Sequence, residues 1–199
     1  TTRGTFVIRL SDSTPLHRNN FLLLAKTGYY DRLLFHRVIP RFMVQAGDPG
    51  SKEGHPDKPL SQGGKSGPGY TIPAEFRPGL FHHRGALGAA RENDNVNPAR
   101  ASSGSQFYIV QGKRWTDAGL DSVETLRLKG RKMPAEQRAV YKDIGGSPHL
   151  DQSYTVFGEV VRGMETVDSI EAVETSGPPL DRPKIDIRIL KMNLIPRNK

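Results

Sequence analysis

The apolar stretches of this chain are short, and turn formers close them. Phe6–Leu10, Leu33–Ile39, Phe42–Ala46, Phe107–Val110 and Val156–Val161 are each of single-strand length, with glycine, proline, asparagine or aspartate near their ends. The 21 glycines and 15 prolines are spread along all 199 residues. Punctuation this dense predicts short strands around a few helices, which is the pattern of a β-barrel or sandwich with helical caps.

Local patterns place the elements. Phe6, Ile8 and Leu10 alternate with Val7 and Arg9, as in a strand. A helix follows, with Ser13 or Thr14 as N-cap, Pro15 near the first helical position and Gly28 as terminator. Its expected buried stripe is Phe21, Leu24 and Ala25. One strand ends at Ile39, a turn falls at Pro40–Arg41, and a second strand runs from Phe42 to Ala46. Asp48 to Gly69 is almost all turn formers and is expected to be a long loop. "YTIPAEF", "RGALGAA", Ser105–Gly112 and "YTVFGEVV" read as strands, and "GMETVDSIEAV" as a helix. Residues 113–149 differ in character: Pro134 starts a helix, Val140 and Ile144 stand four apart, and Gly145 stops it. The last expected strand, "KIDIRILKM", places Ile185, Ile187 and Ile189 on one face.

Several function classes drop out. No apolar run approaches the roughly 18 residues needed to cross a bilayer. With no cysteine there is no disulfide, thiolate nucleophile or zinc–thiolate site. The six histidines lack chelating spacings, and His82 and His83, being adjacent, would point to opposite strand faces. "GGKS" (Gly63–Ser66) has Pro59 where a phosphate-binding loop needs glycine, and no helix follows. "SSGSQ" lacks the elbow of a serine hydrolase. The formal charge of +8 allows nucleic-acid binding, but the cations are dispersed, with nothing denser than Lys129–Lys132 ("KGRK"). The chain starts at Thr1 without an initiator Met; a removed leader would make it an exported, periplasmic protein, the location expected here, with the cytoplasm as the alternative.

What this leaves unexplained is the pair of arginines, Arg37 and Arg41, inside the apolar run Leu33–Pro49. A guanidinium costs several kcal/mol to bury unless paired, so a folding core gives no reason for either. Read alone, Arg37 is either an ion-paired surface residue or a residue that does chemistry, and Phe42, Met43 and Leu150 read as core.

The run F-H-R-V-I-P-R-F-M-V-Q-A-G-D closely resembles the signature of the cyclophilins, the cyclosporin-binding peptidyl-prolyl isomerases. "TPLHRNNFLLLAKTGYYD", "GPGYTIPAEF", "SSGSQFYIV" and "HLDQSYTVFGEVVRGMETVDSI" agree with the same family in the same order, from about Thr5 to Ile170. The resemblance implies a mainly β fold, a closed eight-stranded antiparallel barrel capped by two α-helices, in one domain over 1–199. Residues 113–149 would be a partly helical insertion packed beside the groove mouth.

It also implies a site. Arg37 is the catalytic guanidinium, and Arg41 is a solvated turn residue. Phe42, Met43, Tyr108 and Leu150 grip the proline ring, and Gln45 bonds the substrate backbone. Ala90, Arg91 and Gln106 lie along the preceding residues. Tyr108 stands where phenylalanine is usual, and Arg91 stands where asparagine is. His149 replaces a common tryptophan, so weak cyclosporin binding is expected, and Tyr154 replaces a histidine. The expected partners are proline-containing peptides and unfolded or partly folded proteins, met by a monomer with no cofactor, metal or nucleic acid. A non-catalytic proline-peptide-binding or chaperone module on the same fold is the alternative.

Overall fold

The first hairpin fixes the geometry of everything around it. The computed structural model describes residues 1–52 and 67–196, so most of the expected Asp48–Gly69 loop, including Gly63–Ser66, lies outside the described residues. Strand β1 is Val7–Leu10, β2 is Phe35–Ile39 and β3 is Met43–Ala46. A turn at residues 40–42 joins β2 to β3, with Arg41 in a left-handed conformation (φ 61°). The remaining strands are β4 (Thr71–Ile72), β5 (Ala86–Ala89), β6 (Ser102–Ser103), β7 (Phe107–Val110) and β8 (Val156–Arg162). Six of them pair antiparallel in the order β1-β8-β5-β7-β3-β2, and β4 pairs with β6 apart from them.

In place of the expected closed eight-stranded barrel, the described residues form a six-stranded sheet and a separate two-stranded ladder. Residues 187–189 run as an irregular segment beside β2 and the first residues of the chain. Phe35 N donates to Ile187 O at 2.9 Å and Ile189 N to Leu33 O at 2.9 Å, while Thr2 N donates to Arg188 O at 3.0 Å. This is where the last expected strand fails. Ile187 and Ile189 are buried, as expected, but Ile185 is 52% exposed: the segment meets β2 at Asp181, whose carbonyl accepts Val38 N, and again at Ile187, and Ile185 lies between the two.

The described residues hold four α-helices rather than two capping helices with one more in the 113–149 segment: α1 (Pro15–Lys26), α2 (Asp117–Leu126), α3 (Ala135–Asp143) and α4 (Met164–Glu171). α1 packs Phe21, Leu24 and Ala25 into the main core with Phe35, Val44 and Phe157. Its start differs from expectation. Thr14 occupies the cap position, but its side chain makes no capping bond. Instead, the Glu75 carboxylate from "IPAEF" accepts the amides of Leu16 (3.3 Å) and His17 (3.0 Å) and the His17 Nδ1 proton (2.7 Å). His17 Nε2 then accepts from Ser102 Oγ at 2.9 Å. Burial alone would raise the Glu75 carboxyl, but His17 and the two amides outweigh it and hold it below its ordinary value.

Residues 113–149 build their own apolar cluster: Leu120 and Val123 from α2, Tyr141 from α3, and Leu128 and Met133 between them. α2, which the sequence pattern did not mark, is capped by Thr116 Oγ1 accepting from Gly119 N. In α3 the buried residue is Tyr141, whereas Ile144 of the expected Val140–Ile144 pair is 41% exposed. The two ends of the segment meet where Gly112 faces Gly146, so closely that a Cβ on Gly112 would lie 2.4 Å from Gly146 Cα. α2 packs against a short turn at Pro148–Leu150.

Candidate active site

Strand β2 carries one residue too many for its partner. Phe35 pairs with Ala46 and Arg37 with Gln45, so His36 is a bulge. The bulge lets both Phe35 and Val38 face the main core, and it turns Arg37 to the opposite face, level with Gln45. Register carries that level across the sheet: Gln45 pairs with Tyr108, Tyr108 with Gly88, and Gly88 with Val156. The row begins with a guanidinium and continues into an apolar wall.

Two apolar clusters lie on the two faces, as strand alternation requires. Val44 and Ala46 join the main core, while Met43 joins Tyr108, Val110 and Val156 with Phe42, Leu150 and Tyr154 packed against them. All four expected ring-pocket residues thus fall in one cluster. The His149 ring lies 5.4 Å from that of Phe42, and Tyr154 meets Tyr108 edge-on at 6.2 Å.

Polar groups are more committed than the sequence suggested. The Arg37 side chain is 28% exposed, and its Nε lies 3.4 Å from Asp181 Oδ2. Asp181 is fixed through its own backbone, its carbonyl accepting Val38 N at 2.8 Å. Gln45 Nε2 donates to Gln106 Oε1 at 2.9 Å. Ala90 gives its amide to Gln106 O and accepts Ser103 N. The Arg91 guanidinium is buried: it donates to Ser153 O (2.8 Å) and Glu92 O (2.7 Å), pairs with Asp94 (2.7 Å), and stacks 4.3 Å from the Tyr154 ring centroid. Its charge is therefore largely met inside the protein.

Tyr108 keeps its expected place, and its hydroxyl has a partner, His82 Nε2 at 2.9 Å. Burial raises that hydroxyl well above its ordinary acidity range, so it remains protonated. The fit over β5 requires glycine: a Cβ on Gly88 would sit 2.3 Å from Tyr108 Cζ. Asp181, His82 and Asp151 were not found from the sequence. Their partners are distant along the chain, and no local spacing announces them. Among the described residues no group of three His, Cys, Asp or Glu side chains could hold a metal, and no helix is long and apolar enough to cross a membrane.

Three histidines near this sheet are held neutral. Burial lowers His36 to about 4 and, with help from His82 and Arg127, His149 to about 4. Burial also lowers His17 against the opposing pull of Glu75. An unfolded histidine protonates near pH 6.5. Between that value and about pH 4 the unfolded chain therefore binds protons that the folded one refuses. Stability is expected to decrease as pH falls through this window, and these histidines contribute no further change above about pH 7. Thermal unfolding between pH 8 and pH 4 checks this; a midpoint flat across the window would contradict it.

Comparison with known proteins agrees with the geometry. The family profile described as cyclophilin type peptidyl-prolyl cis-trans isomerase/CLD matches residues 1–194. A Staphylococcus saprophyticus protein named "Putative peptidyl-prolyl cis-trans isomerase" is 34% identical over 196 residues, which is 98% of this chain and 89% of that protein. A Streptococcus pyogenes protein named "Putative bifunctional phosphatase/peptidyl-prolyl cis-trans isomerase" is 38% identical over 185 residues. That match takes in 92% of this chain but only 35% of the Streptococcus protein. A crystal structure of a Cryptosporidium parvum cyclophilin type isomerase superposes with a TM-score of 0.66 at 23% identity, covering 98% of this chain and 94% of that one. Another, determined in the presence of the dipeptide Ala-Pro, gives 0.63 at 24%, covering 95% and 91%. The chain belongs to the cyclophilin-type peptidyl-prolyl cis-trans isomerase family.

Proposed function

We propose that the outer-face row is a groove for X-Pro peptides and that Arg37 drives rotation of the prolyl bond. The uncatalysed barrier is near ~20 kcal/mol and takes tens of seconds to cross. It comes from amide resonance, which is lost when the bond twists and the prolyl nitrogen becomes pyramidal with a free lone pair. Catalysis then needs no nucleophile. It needs a donor aimed at that lone pair, an apolar seat for the ring and a hold on the flanking backbone.

The observation that carries this reading is the bulge at His36. It sets Arg37 level with Gln45 and beside the Phe42–Met43–Tyr108–Leu150 cluster, on the face away from the main core. In this reading Arg37 donates to the twisting prolyl nitrogen, and Asp181, drawn up to Nε, leaves the terminal nitrogens for the substrate. The ring sits against Phe42, Met43, Tyr108 and Leu150. Gln45, steadied by Gln106, offers its amide to the substrate backbone; Ala90, Arg91 and Gln106 shape the floor beyond, while His149 and Tyr154 close the rim. The same reading treats the chain as one domain with a rolled sheet, and residues 113–149 as an insertion beside the groove mouth. The substrates are proline-containing peptides and incompletely folded chains.

The test is whether the purified protein speeds cis–trans exchange of a short Ala-Pro peptide at catalytic concentration. Acceleration well beyond the uncatalysed rate is expected. A peptide that binds without faster exchange would overturn the catalytic reading in favour of a proline-peptide-binding module.

A further inference from the structure

We propose that helix α3 sets one wall of the groove through a buried chain of side chains, Tyr141–Asp151–His82–Tyr108, in which Tyr141, Asp151 and His82 are positioning residues. The inference rests on the proposed role of Tyr108 in seating the proline ring.

The chain is continuous and short at every link. Tyr141 Oη donates to Asp151 Oδ2 at 2.7 Å. Asp151 Oδ1 accepts both His82 Nδ1 and the His82 backbone amide, each at 2.9 Å. His82 Nε2 meets Tyr108 Oη at 2.9 Å, with the two rings stacked at 14°. All four residues are buried: Tyr141 is 0% exposed, His82 0%, Asp151 2% and Tyr108 5%.

With Asp151 ionised and His82 neutral, the protons fall in one arrangement. An ionised carboxylate can only accept, so Tyr141 and His82 Nδ1 both donate to Asp151. That leaves His82 Nε2 with a lone pair, which takes the Tyr108 proton. Burial raises both tyrosine hydroxyls far above neutrality, so both keep the protons they donate.

The consequence for the groove is mechanical. Tilting the Tyr108 ring away from its seat would break its bond to His82 and strand Nε2 in a dry interior. The other side of the ring is blocked by Gly88, whose lack of a Cβ is what lets the ring lie there. With its hydroxyl consumed, Tyr108 presents a phenyl-like face to the groove. Asp151 also directly follows His149 and Leu150, and its carbonyl is held by Arg131 Nη2 at 2.7 Å. One residue thus ties α3, through its carboxylate, and the α2–α3 connection, through its carbonyl, to two groove walls. This gives the 113–149 segment a role beyond covering the sheet: it fixes the shape of the ring seat.

A double-mutant cycle tests the coupling. Isomerisation kinetics of an Ala-Pro peptide would be measured for the wild type, Tyr141→Phe, Tyr108→Phe and the double variant, with thermal unfolding followed in parallel. Tyr141→Phe is expected to raise KM by about threefold or more with kcat little changed, because it loosens a binding wall. In the Tyr108→Phe background the same change should have almost no effect. An equal KM effect in both backgrounds overturns the proposal, since α3 would then act without the chain. The ¹⁵N shifts of His82 in the wild type give a second reading that needs no variant to fold and no catalysis. A neutral ring protonated at Nδ1 supports the chain, and one protonated at Nε2 overturns it. A wild type that does not accelerate exchange would instead sink the isomerase reading, and the His82 tautomer would still decide whether the chain exists.

Discussion

Glu75→Ala is expected to cost about 3–5 kcal/mol of stability, the largest loss from any single side chain outside the apolar core. Glu75 is 6% exposed and does the capping that Thr14 does not. Removing it strands the buried His17 amide and the Nδ1 proton of His17, and leaves the part-buried Leu16 amide to water. Each stranded buried donor costs about 1–3 kcal/mol, and the helix also loses a negative charge at its positive end. For a domain of this size the melting point should fall by roughly 10 °C. Glu75→Gln, which keeps one acceptor oxygen, should lose less. Urea denaturation of the three proteins checks this. A Glu75→Ala change within about 0.5 kcal/mol of the wild type would mean that the N-terminus of α1 is capped some other way. Because α1 packs on the core side of the sheet, activity per folded molecule should be unchanged.

Local pattern made much of this fold legible. Alternation around Pro40 announced the β2–β3 hairpin, and the Phe21–Leu24–Ala25 stripe announced the buried face of α1. The separation of Val44 and Ala46 from Met43 and Gln45 was also readable, because strand period decides it. What failed depended on distant partners. Ile185 continues the alternation of Ile187 and Ile189, but the backbone meets β2 at Asp181 and again at Ile187, and Ile185 falls in the gap between them. α2 offered only Leu120 and Val123 as a buried face, too few to stand out as a period. Arg91 stands where asparagine is usual, and its carboxylate partner, Asp94, lies three residues on, in a stretch with no regular pattern. Asp181, far down the chain, could be matched to Arg37 only once the C-terminal segment was seen against β2. The bulge at His36, which aims Arg37, is a register feature and leaves no mark in composition.

Arg37→Ala is expected to slow isomerisation by at least about tenfold while leaving the fold intact. The fold should survive because Arg37 lies on the outer face, 28% exposed, and contributes no packing to the main core. Its loss leaves the Asp181 carboxylate, whose side chain is 10% exposed, without that partner, so some stability is lost while the main core stays packed. The rate should fall because the donor acts on a lone pair that exists only in the twisted state. Removing such a donor lowers kcat and kcat/KM together and leaves ground-state binding in place. Arg37→Lys should remain impaired, since a flexible ammonium lacks the planar fork that Asp181 can hold by one edge. Asp181→Asn should fall between these variants and the wild type.

The most direct measurement of the account is exchange NMR of an Ala-Pro peptide at saturating concentration, with wild type and Arg37→Ala compared side by side. The account predicts similar peptide affinity for the two proteins and a cis–trans exchange rate at least about tenfold lower in the variant. Equal exchange rates at equal saturation would contradict it, and the work of twisting the prolyl bond would have to be assigned to groups other than Arg37.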